Sequence, residues 1–183
     1  MKHFKRKIVI IVVIIMTALE IMGFIDANSR FPQPKEEKYS CNEWMKLDEQ
    51  VDISVTDISY YSKEQFKEVY AQEDFDIKYD TIVIVMKVKN CSDHQIDFSM
   101  RYLQYITLVA YPIGYVNQGI LLNRSDRMVD SGKEKEFTVV VNVSEALVNE
   151  RRKEQFLKST FYVQFSLYPI KKVFVIDNIM VNN

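Results

Sequence analysis

The chain opens with a segment that export machinery recognises, and this segment limits what the other residues can fold into. Residues 1–7 contain four basic side chains and no acidic one, and Ile8–Ile25 comes next with a single charged residue, Glu20. At the rise of an α-helix this apolar run is about 27 Å long, close to the hydrocarbon thickness of a bilayer. By the positive-inside rule, the basic end stays in the cytoplasm and everything after Asp26 lies outside.

The residues at the end of the apolar run decide whether this segment is cleaved. A cleavable signal peptide has a shorter apolar core and then small residues before its cleavage site, whereas Met22, Phe24 and Ile25 are bulky. We therefore predict that residues 1–25 are a basic stub and an uncleaved signal anchor, so that the protein is a single-pass protein of the cell membrane. The alternative is secretion after cleavage. No cysteine lies close behind the run, so the lipid-attachment site of bacterial lipoproteins is missing.

Glu20 has two interpretations. A carboxylate in the middle of a membrane costs roughly 2.5–3.5 kcal/mol on insertion scales, and a partner helix that supplies a basic group or donates a hydrogen bond would offset that cost. Only five residues of the run come after Glu20, so we expect its side chain to reach headgroups or water at the outer end.

The composition of residues 26–183 predicts one packed domain. These 158 residues are enough for a substantial core. The whole chain holds 11 Tyr and 11 Phe but only four Gly and four Pro, which is unlike a linker or a low-complexity tail. The formal charge is −1 for the whole chain and −4 for residues 26–183. That balance argues against a nucleic-acid partner and against binding of a polybasic surface to lipid.

Apolar and polar residues alternate along several segments, as they do in half-buried β-strands. Thr81–Lys89 gives the strongest signal: it contains Ile84 and Met86, and it is apolar on both faces at one end, which predicts a central strand. The other predicted strands are Val51–Ile58, Ile96–Ser99, Leu103–Tyr111, Gly119–Leu122, Phe137–Val143, Phe161–Leu167 and Val173–Ile176.

Two short helices are predicted between these strands. Ser62 and Gln65 have the spacing of a capping box at the start of one helix, and Ser144 precedes the other, Glu145–Lys158. Residues 26–48, which begin with a stretch rich in proline and charge, are predicted to be a stalk. Residues 49–183 are predicted to be mainly β, as a two-sheet antiparallel sandwich with short connecting helices.

Three segments carry a resemblance to a known group of domains: YDTIVIVMKVKNCSD, VDSGKEKEFTVVVNV and FYVQFSLYPIKK, within residues 51–176. They resemble the immunoglobulin-like extracellular domains of membrane-anchored proteins in Gram-positive bacteria. In those domains a long apolar strand ends in V-x-N-x-S, and a later turn containing glycine opens a strand rich in Phe and Val. The resemblance implies an immunoglobulin-like sandwich, and it implies no specific activity. The chain differs from lipoprotein members of the group because it lacks their lipid-bearing cysteine.

The residue types needed for catalysis are scarce in the exported part. Its one histidine, His94, lies in a polar turn, where we expect it to be solvated, whereas a catalytic triad needs a buried, oriented histidine. No P-loop, dinucleotide-binding turn or G-x-S-x-G motif occurs. Glu73, Asp74, Asp76 and Asp80 form an acidic cluster, but it lacks the glycine and the bidentate glutamate of an EF-hand loop, so we expect a solvated loop. We predict no enzyme activity, no metal and no cofactor.

Cys41 and Cys91 are the only cysteines. Export permits a disulfide between them, and by the chain-entropy model such a bridge contributes about 4 kcal/mol. The alternative is two unpaired cysteines, and the sequence alone leaves both open.

Tyrosines concentrate in one part of the chain and define a candidate binding surface for glycan or peptide. The four are Tyr102, Tyr105, Tyr111 and Tyr115. Aromatic side chains serve recognition at protein surfaces, but packing in the core and across strands also favours them.

The leading functional hypothesis is a non-catalytic, membrane-tethered domain that binds a protein or a cell-envelope component outside the membrane. The second is an accessory subunit of a membrane complex, contacted through the N-terminal helix and Glu20. An enzyme of unknown type is the third.

Overall fold

The structure, a computed structural model, describes residues 2–30, 34–70, 78–122, 126–144, 148–166 and 169–181. The chain divides between Pro34 and Lys35 into two compact units. The first contains the helix α1, Lys2–Arg30. Within it, Ile10–Arg30 is long and apolar enough to cross a membrane, with a mean hydropathy of 2.3. Such a helix suits a signal anchor or a signal peptide, the two fates expected from the sequence.

The second unit is a β-sandwich. Its strands among the described residues are β1 Lys35–Tyr39, β2 Met45–Lys46, β3 Val51–Tyr61, β4 Asp80–Asn90, β5 Ile96–Asp97, β6 Thr107–Tyr111, β7 Tyr115–Gln118, β8 Ile120–Leu121, β9 Met128–Val129, β10 Glu134–Val143, β11 Thr160–Ser166, β12 Ile170–Ile176 and β13 Met180–Val181. Its helices there are α2 Lys63–Val69, α3 Phe98–Arg101, α4 Glu150–Leu157 and a 3₁₀ turn, Leu103–Tyr105.

Two sheets form the layers of the sandwich. One has the order β1-β12-β11-β6-β7, and the other has the order β13-β3-β4-β10-β8, with β2 also paired to β3. β5 and β9 form a separate two-stranded sheet. The predicted mainly β sandwich is confirmed, although not every pairing is antiparallel, since β1 runs parallel to β12 and β13 runs parallel to β3.

The predicted central strand occupies the middle of the larger sheet. β4 pairs along its length with β3 on one side and with β10 on the other. Ile84 and Met86 point into the main core and are fully buried. Val83 points the other way, into a smaller cluster with Phe66 of α2 and Val140 of β10. The two-sided apolar pattern therefore has a physical reason, because α2 covers the outer side of this sheet.

The first predicted helix cap is present and the second is shifted. The Ser62 side chain accepts a hydrogen bond from the Gln65 backbone, and the Gln65 side chain accepts one from the Ser62 backbone, which completes a capping box at α2. The helix expected from Glu145 begins instead at Glu150, and Asn149 rather than Ser144 caps it. Residues 145–147 lie outside the described residues.

The stalk predicted over residues 26–48 is wrong in its C-terminal half. β1 pairs over five residues with β12, and Met45 of β2 is fully buried in the main core. The apolar periodicity that marks most strands is missing from β1, because only Tyr39 among its five residues is apolar enough to pack inward. Its place in the sheet comes from pairing with a strand about 135 residues later.

Three other predicted segments differ in detail. Ile96–Ser99 is a two-residue strand with α3 directly after it, and Leu103–Tyr111 begins with a 3₁₀ turn before β6. Gly119–Leu122 reduces to β8, and the preceding strand β7 was not predicted.

Candidate functional site

The four tyrosines of the predicted binding surface do not form one surface. Tyr102 and Tyr115 are core residues with 5% and 1% of their surface exposed. The Tyr102 hydroxyl donates to Asp48 at 2.8 Å, and the Tyr115 ring meets the ring of Phe156 edge-on. Tyr105 and Tyr111 are exposed by 57% and 65%. The prediction is therefore wrong for Tyr102 and Tyr115, since the start of β7 turns Tyr115 inward.

Tyr111 lies on the outer face of the five-stranded sheet. The pairing of β11 with β6 places a second tyrosine, Tyr162, on the same face. Val109 of β6 pairs with Tyr162 of β11 on one side and with Val116 of β7 on the other. Tyr111 itself pairs with Thr160. Because side chains alternate along a strand, these residues all point away from the core, and Tyr162 is a diagonal neighbour of Tyr111.

A shallow groove of about 260 Å³ runs between these side chains. We call it the outer-face groove. It is lined by Glu36, Lys38, Val109, Tyr111, Tyr162, Gln164 and Lys171. The alternating pattern of Phe161–Leu167 was visible in the sequence, but only the pairing of β11 with β6 shows that Tyr162 shares a face with Tyr111.

The middle of the groove carries hydrogen-bonding groups that the protein itself does not use. Among the described residues, the hydroxyls of Tyr111 and Tyr162 and the amide of Gln164 make no side-chain hydrogen bond. Tyr162 and Gln164 are half-buried and Tyr111 is mostly exposed. The groove thus combines two aromatic rings with neutral donors and acceptors that remain available to a ligand.

One end of the groove is charged, and its charges largely compensate each other. The Glu36 carboxylate accepts from Lys171 at 2.7 Å and lies 3.3 Å from the Lys38 ammonium. The hydrogen bond from Lys171 is the main reason that the pKa of Glu36 lies below its ordinary value, and partial burial opposes that shift. This end therefore presents ordered polar groups but only a weak net positive charge.

A larger cavity, of about 540 Å³, lies where β3, β4, α2 and α4 meet. On its wall, Asp80 accepts hydrogen bonds from the Tyr60 hydroxyl, from the Lys63 backbone N–H at 3.0 Å and from the Lys153 ammonium at 3.2 Å. The Lys153 ammonium also lies 5.3 Å from the centre of the Tyr60 ring. The side chains of Tyr60, Asp80 and Lys153 on this cavity wall therefore bind each other, and we assign their network a structural role.

The network shifts the pKa values of Tyr60, Asp80 and Lys153. Burial, and then the hydrogen bond to Asp80, raise the pKa of Tyr60 to about 12. Burial alone would raise the pKa of Asp80, but the hydrogen bonds from Tyr60, Lys63 and Lys153 outweigh it and the pKa is lowered. The hydrogen bond with Tyr60 raises the pKa of Lys153 above its ordinary value.

Among the described residues, Asp80 of the acidic cluster and His94 have separate partners. Asp80 belongs to the network with Tyr60 and Lys153, and Glu73, Asp74 and Asp76 lie outside the described residues. His94 is in an exposed turn with its Nδ1 at 2.9 Å from Asp93, which confirms its predicted solvated position. Within the described ranges, no three His, Cys, Asp or Glu side chains are close enough to hold a metal ion.

The structure contradicts the disulfide alternative and leaves both thiols free. The backbone next to Cys41 bonds to Val55, whereas the backbone N–H of Cys91 bonds to Gln50. Gln50 directly precedes β3 and Val55 lies within it, so these contacts are five residues apart, which corresponds to about 16 Å at the rise of a strand. A disulfide requires Cα atoms within about 7 Å, so the register of β3 keeps the cysteines too far apart.

Comparisons with known proteins show the fold. No protein-family model and no curated protein matches the chain. The chain is similar to a secreted protein from Mycobacterium tuberculosis, with 8% sequence identity, a TM-score of 0.51 and coverage of 79% of this chain and 99% of that chain. This similarity supports the β-sandwich.

Two further solved structures resemble the chain more weakly. One is an uncharacterised β-sandwich protein from Clostridium difficile, with 11% identity, a TM-score of 0.49 and coverage of 79% of this chain and 96% of that chain. The other is a functionally unknown protein from Listeria monocytogenes, with 15% identity, a TM-score of 0.45 and coverage of 77% and 83%, respectively. The structure of the secreted protein supports the sandwich architecture expected from the resemblance, and the immunoglobulin-like, membrane-anchored character stays a prediction.

Proposed function

We propose that the protein is a membrane-tethered binding domain, held by α1 with its sandwich outside the cell, and that the outer-face groove contacts a protein or cell-envelope component. The observation that carries the proposal concerns Tyr111, Tyr162 and Gln164. Their side chains lie on an open sheet face and make no side-chain hydrogen bond among the described residues. Tyrosine combines a rigid apolar ring with a polar tip, which makes it effective at binding surfaces.

The location rests on the N-terminal segment. The basic stub, the bulky residues Met22, Phe24 and Ile25 at the end of the apolar run and the apolar stretch Ile10–Arg30 together support a signal anchor with the sandwich outside. Within this proposal the sandwich has no catalytic role, because the Asp80 carboxylate in the larger cavity is already held by hydrogen bonds from Tyr60, Lys63 and Lys153.

Crosslinking in intact cells tests the proposed surface. Val116 and Val69 make a matched pair, since they are exposed by 54% and 60% but lie on opposite sides of the sandwich, on β7 and on α2. A photo-reactive amino acid at position 116 of the full chain should give a specific adduct, and the same group at position 69 should not. Adducts at position 69 alone, or at neither position, would contradict binding at the outer face.

The alternative function is an accessory subunit that contacts a membrane complex through α1. Glu20 favours it, because a carboxylate on an apolar helix is stabilised by a partner in the membrane. Replacing residues 1–25 with an unrelated anchor distinguishes the two functions. A domain that binds through the outer face keeps its adduct at position 116 after the exchange, whereas a subunit held by its helix loses its partner.

A further inference from the structure

The face on which the groove lies restricts how a ligand can be recognised. In the middle of the groove, β11 and β6 are each hydrogen-bonded to strands on both sides, so neither offers a free backbone edge. The free edge of β1 is on its side away from β12. An extended peptide that binds by adding a strand needs such an edge for its main-chain hydrogen bonds. Recognition at this face must therefore come from side chains.

The two tyrosines are spaced to support a ligand that extends across the strands. Tyr111 lies diagonally across from Tyr162 on the neighbouring strand, and diagonal neighbours have Cβ atoms roughly 7–8 Å apart. Val109 and Val116 fill the row beside them. This arrangement offers a flat apolar strip in which ring faces can contact the C–H groups of successive units of a chain-like ligand.

The polar groups around this strip select against strongly charged and purely apolar ligands. Gln164 can donate two hydrogen bonds and accept two, and each tyrosine hydroxyl can donate and accept. The charged end carries Glu36 already paired with two lysines. A ligand that places apolar C–H faces on the tyrosines and hydroxyl or acetamido groups beside Gln164 satisfies both requirements.

From this combination we infer that the outer-face groove binds a glycan chain of hexose or N-acetylhexosamine units. The inference rests on the proposed function and names the chemical class of its ligand. The rings supply stacking surface, the Gln164 amide and the tyrosine hydroxyls supply hydrogen bonds, and the paired charges limit the net field.

Titration of the purified full chain in lipid nanodiscs with cellohexaose and chitohexaose tests the inference. We expect at least one of them to bind by calorimetry, and we expect Tyr162→Ala and Tyr111→Ala each to weaken that binding about tenfold, the loss typical of a central aromatic contact. Tyr162→Phe retains the ring and should bind far better than Tyr162→Ala. Tyr105→Ala removes an exposed tyrosine that does not line the groove and should bind like the unaltered protein.

The outcomes separate this inference from the proposed function. Binding of neither oligosaccharide overturns the glycan inference, and so does binding that Tyr162→Ala and Tyr111→Ala leave unchanged in a protein with a normal thermal melt. An adduct at position 116 that contains a polypeptide also overturns it but supports binding at the outer face. If the photo-reactive group at position 116 gives no adduct in intact cells, the proposed function itself is overturned.

Discussion

Asp80 joins four elements through three hydrogen bonds, and the groups that it binds have shifted pKa values. Tyr60 comes from β3, Lys63 from the start of α2 and Lys153 from α4. The sequence places these residues up to about 90 positions apart, so their convergence is a product of the fold.

The raised pKa of Tyr60 predicts a loss of stability at alkaline pH. The tyrosine of the unfolded chain ionises near its ordinary value of 10, whereas the native side chain holds its proton until about 12. The stabilisation is therefore complete below pH 10 and disappears as the pH rises towards 12. Urea unfolding of the unaltered protein should show this decline, and Tyr60→Phe should make it shallower.

The control for this prediction is Tyr105→Phe, which alters an exposed hydroxyl and should leave the decline unchanged. Tyr70 also has a pKa raised to about 12, mainly by burial, so part of the decline should persist in Tyr60→Phe. Identical pH profiles for Tyr60→Phe and the unaltered protein would show that the ionisation of Tyr60 does not contribute to the decline.

At the scale of the element, β4 organises the sandwich because it is paired on both sides and its first half is buried on both faces. Ile84 lies at its centre and is fully buried. Ile84→Ala should lower the free energy of unfolding by about 2–5 kcal/mol, since it removes buried methylene groups and leaves a cavity. Chemical denaturation measures the change, and Lys87→Ala on the same strand, with an exposed side chain, should change it by less than about 0.5 kcal/mol.

Because the edge strand β1 pairs with β12, we predict that the folded domain begins at Lys35. A fragment that starts at Lys35 retains β1 and β2, whereas one that starts at Glu49 loses the contact between Tyr39 and Phe174 and the buried Met45. Burial of such a side chain contributes about 1.5–3 kcal/mol, so the shorter fragment should melt at a clearly lower temperature. Equal melting temperatures would restore the stalk boundary predicted from the sequence.

At the scale of the whole molecule, the proposed topology and the free thiols make one joint prediction. Cys91 is exposed and Cys41 is half-buried. In intact cells a membrane-impermeant maleimide should label the unaltered protein and Cys41→Ser, and it should not label Cys91→Ser. The reaction should be slow at neutral pH, since burial and the neighbouring Asp52 raise the pKa of the Cys91 thiol and so reduce its reactive thiolate.

Labelling that appears only after the cells are lysed would contradict an external domain. A denaturing thiol count of zero without reductant would contradict the free cysteines, and a count of two would agree with the structure.

The sequence by itself determined the features that depend on neighbouring residues. The apolar run before Asp26, the two-sided strand at Ile84 and the capping box at Ser62 are each dictated by local composition or spacing, and each is present in the structure. Alternation with a period of two was enough to predict a β-sandwich, because a strand with one apolar face must bury that face against another layer.

Only the tertiary structure decided which distant segments meet. The register of β11 against β6 placed Tyr162 beside Tyr111. Tyr102 and Tyr115, on other segments, are buried in the core. The pairing of β1 with β12 places part of the segment predicted to be a stalk at the edge of a sheet. Strand pairing is specified by hydrogen bonds and packing between segments that are far apart in sequence, and a shift of one residue moves every side chain to the other face. Local patterns therefore predict the strands, and the register decides which of their side chains form a site.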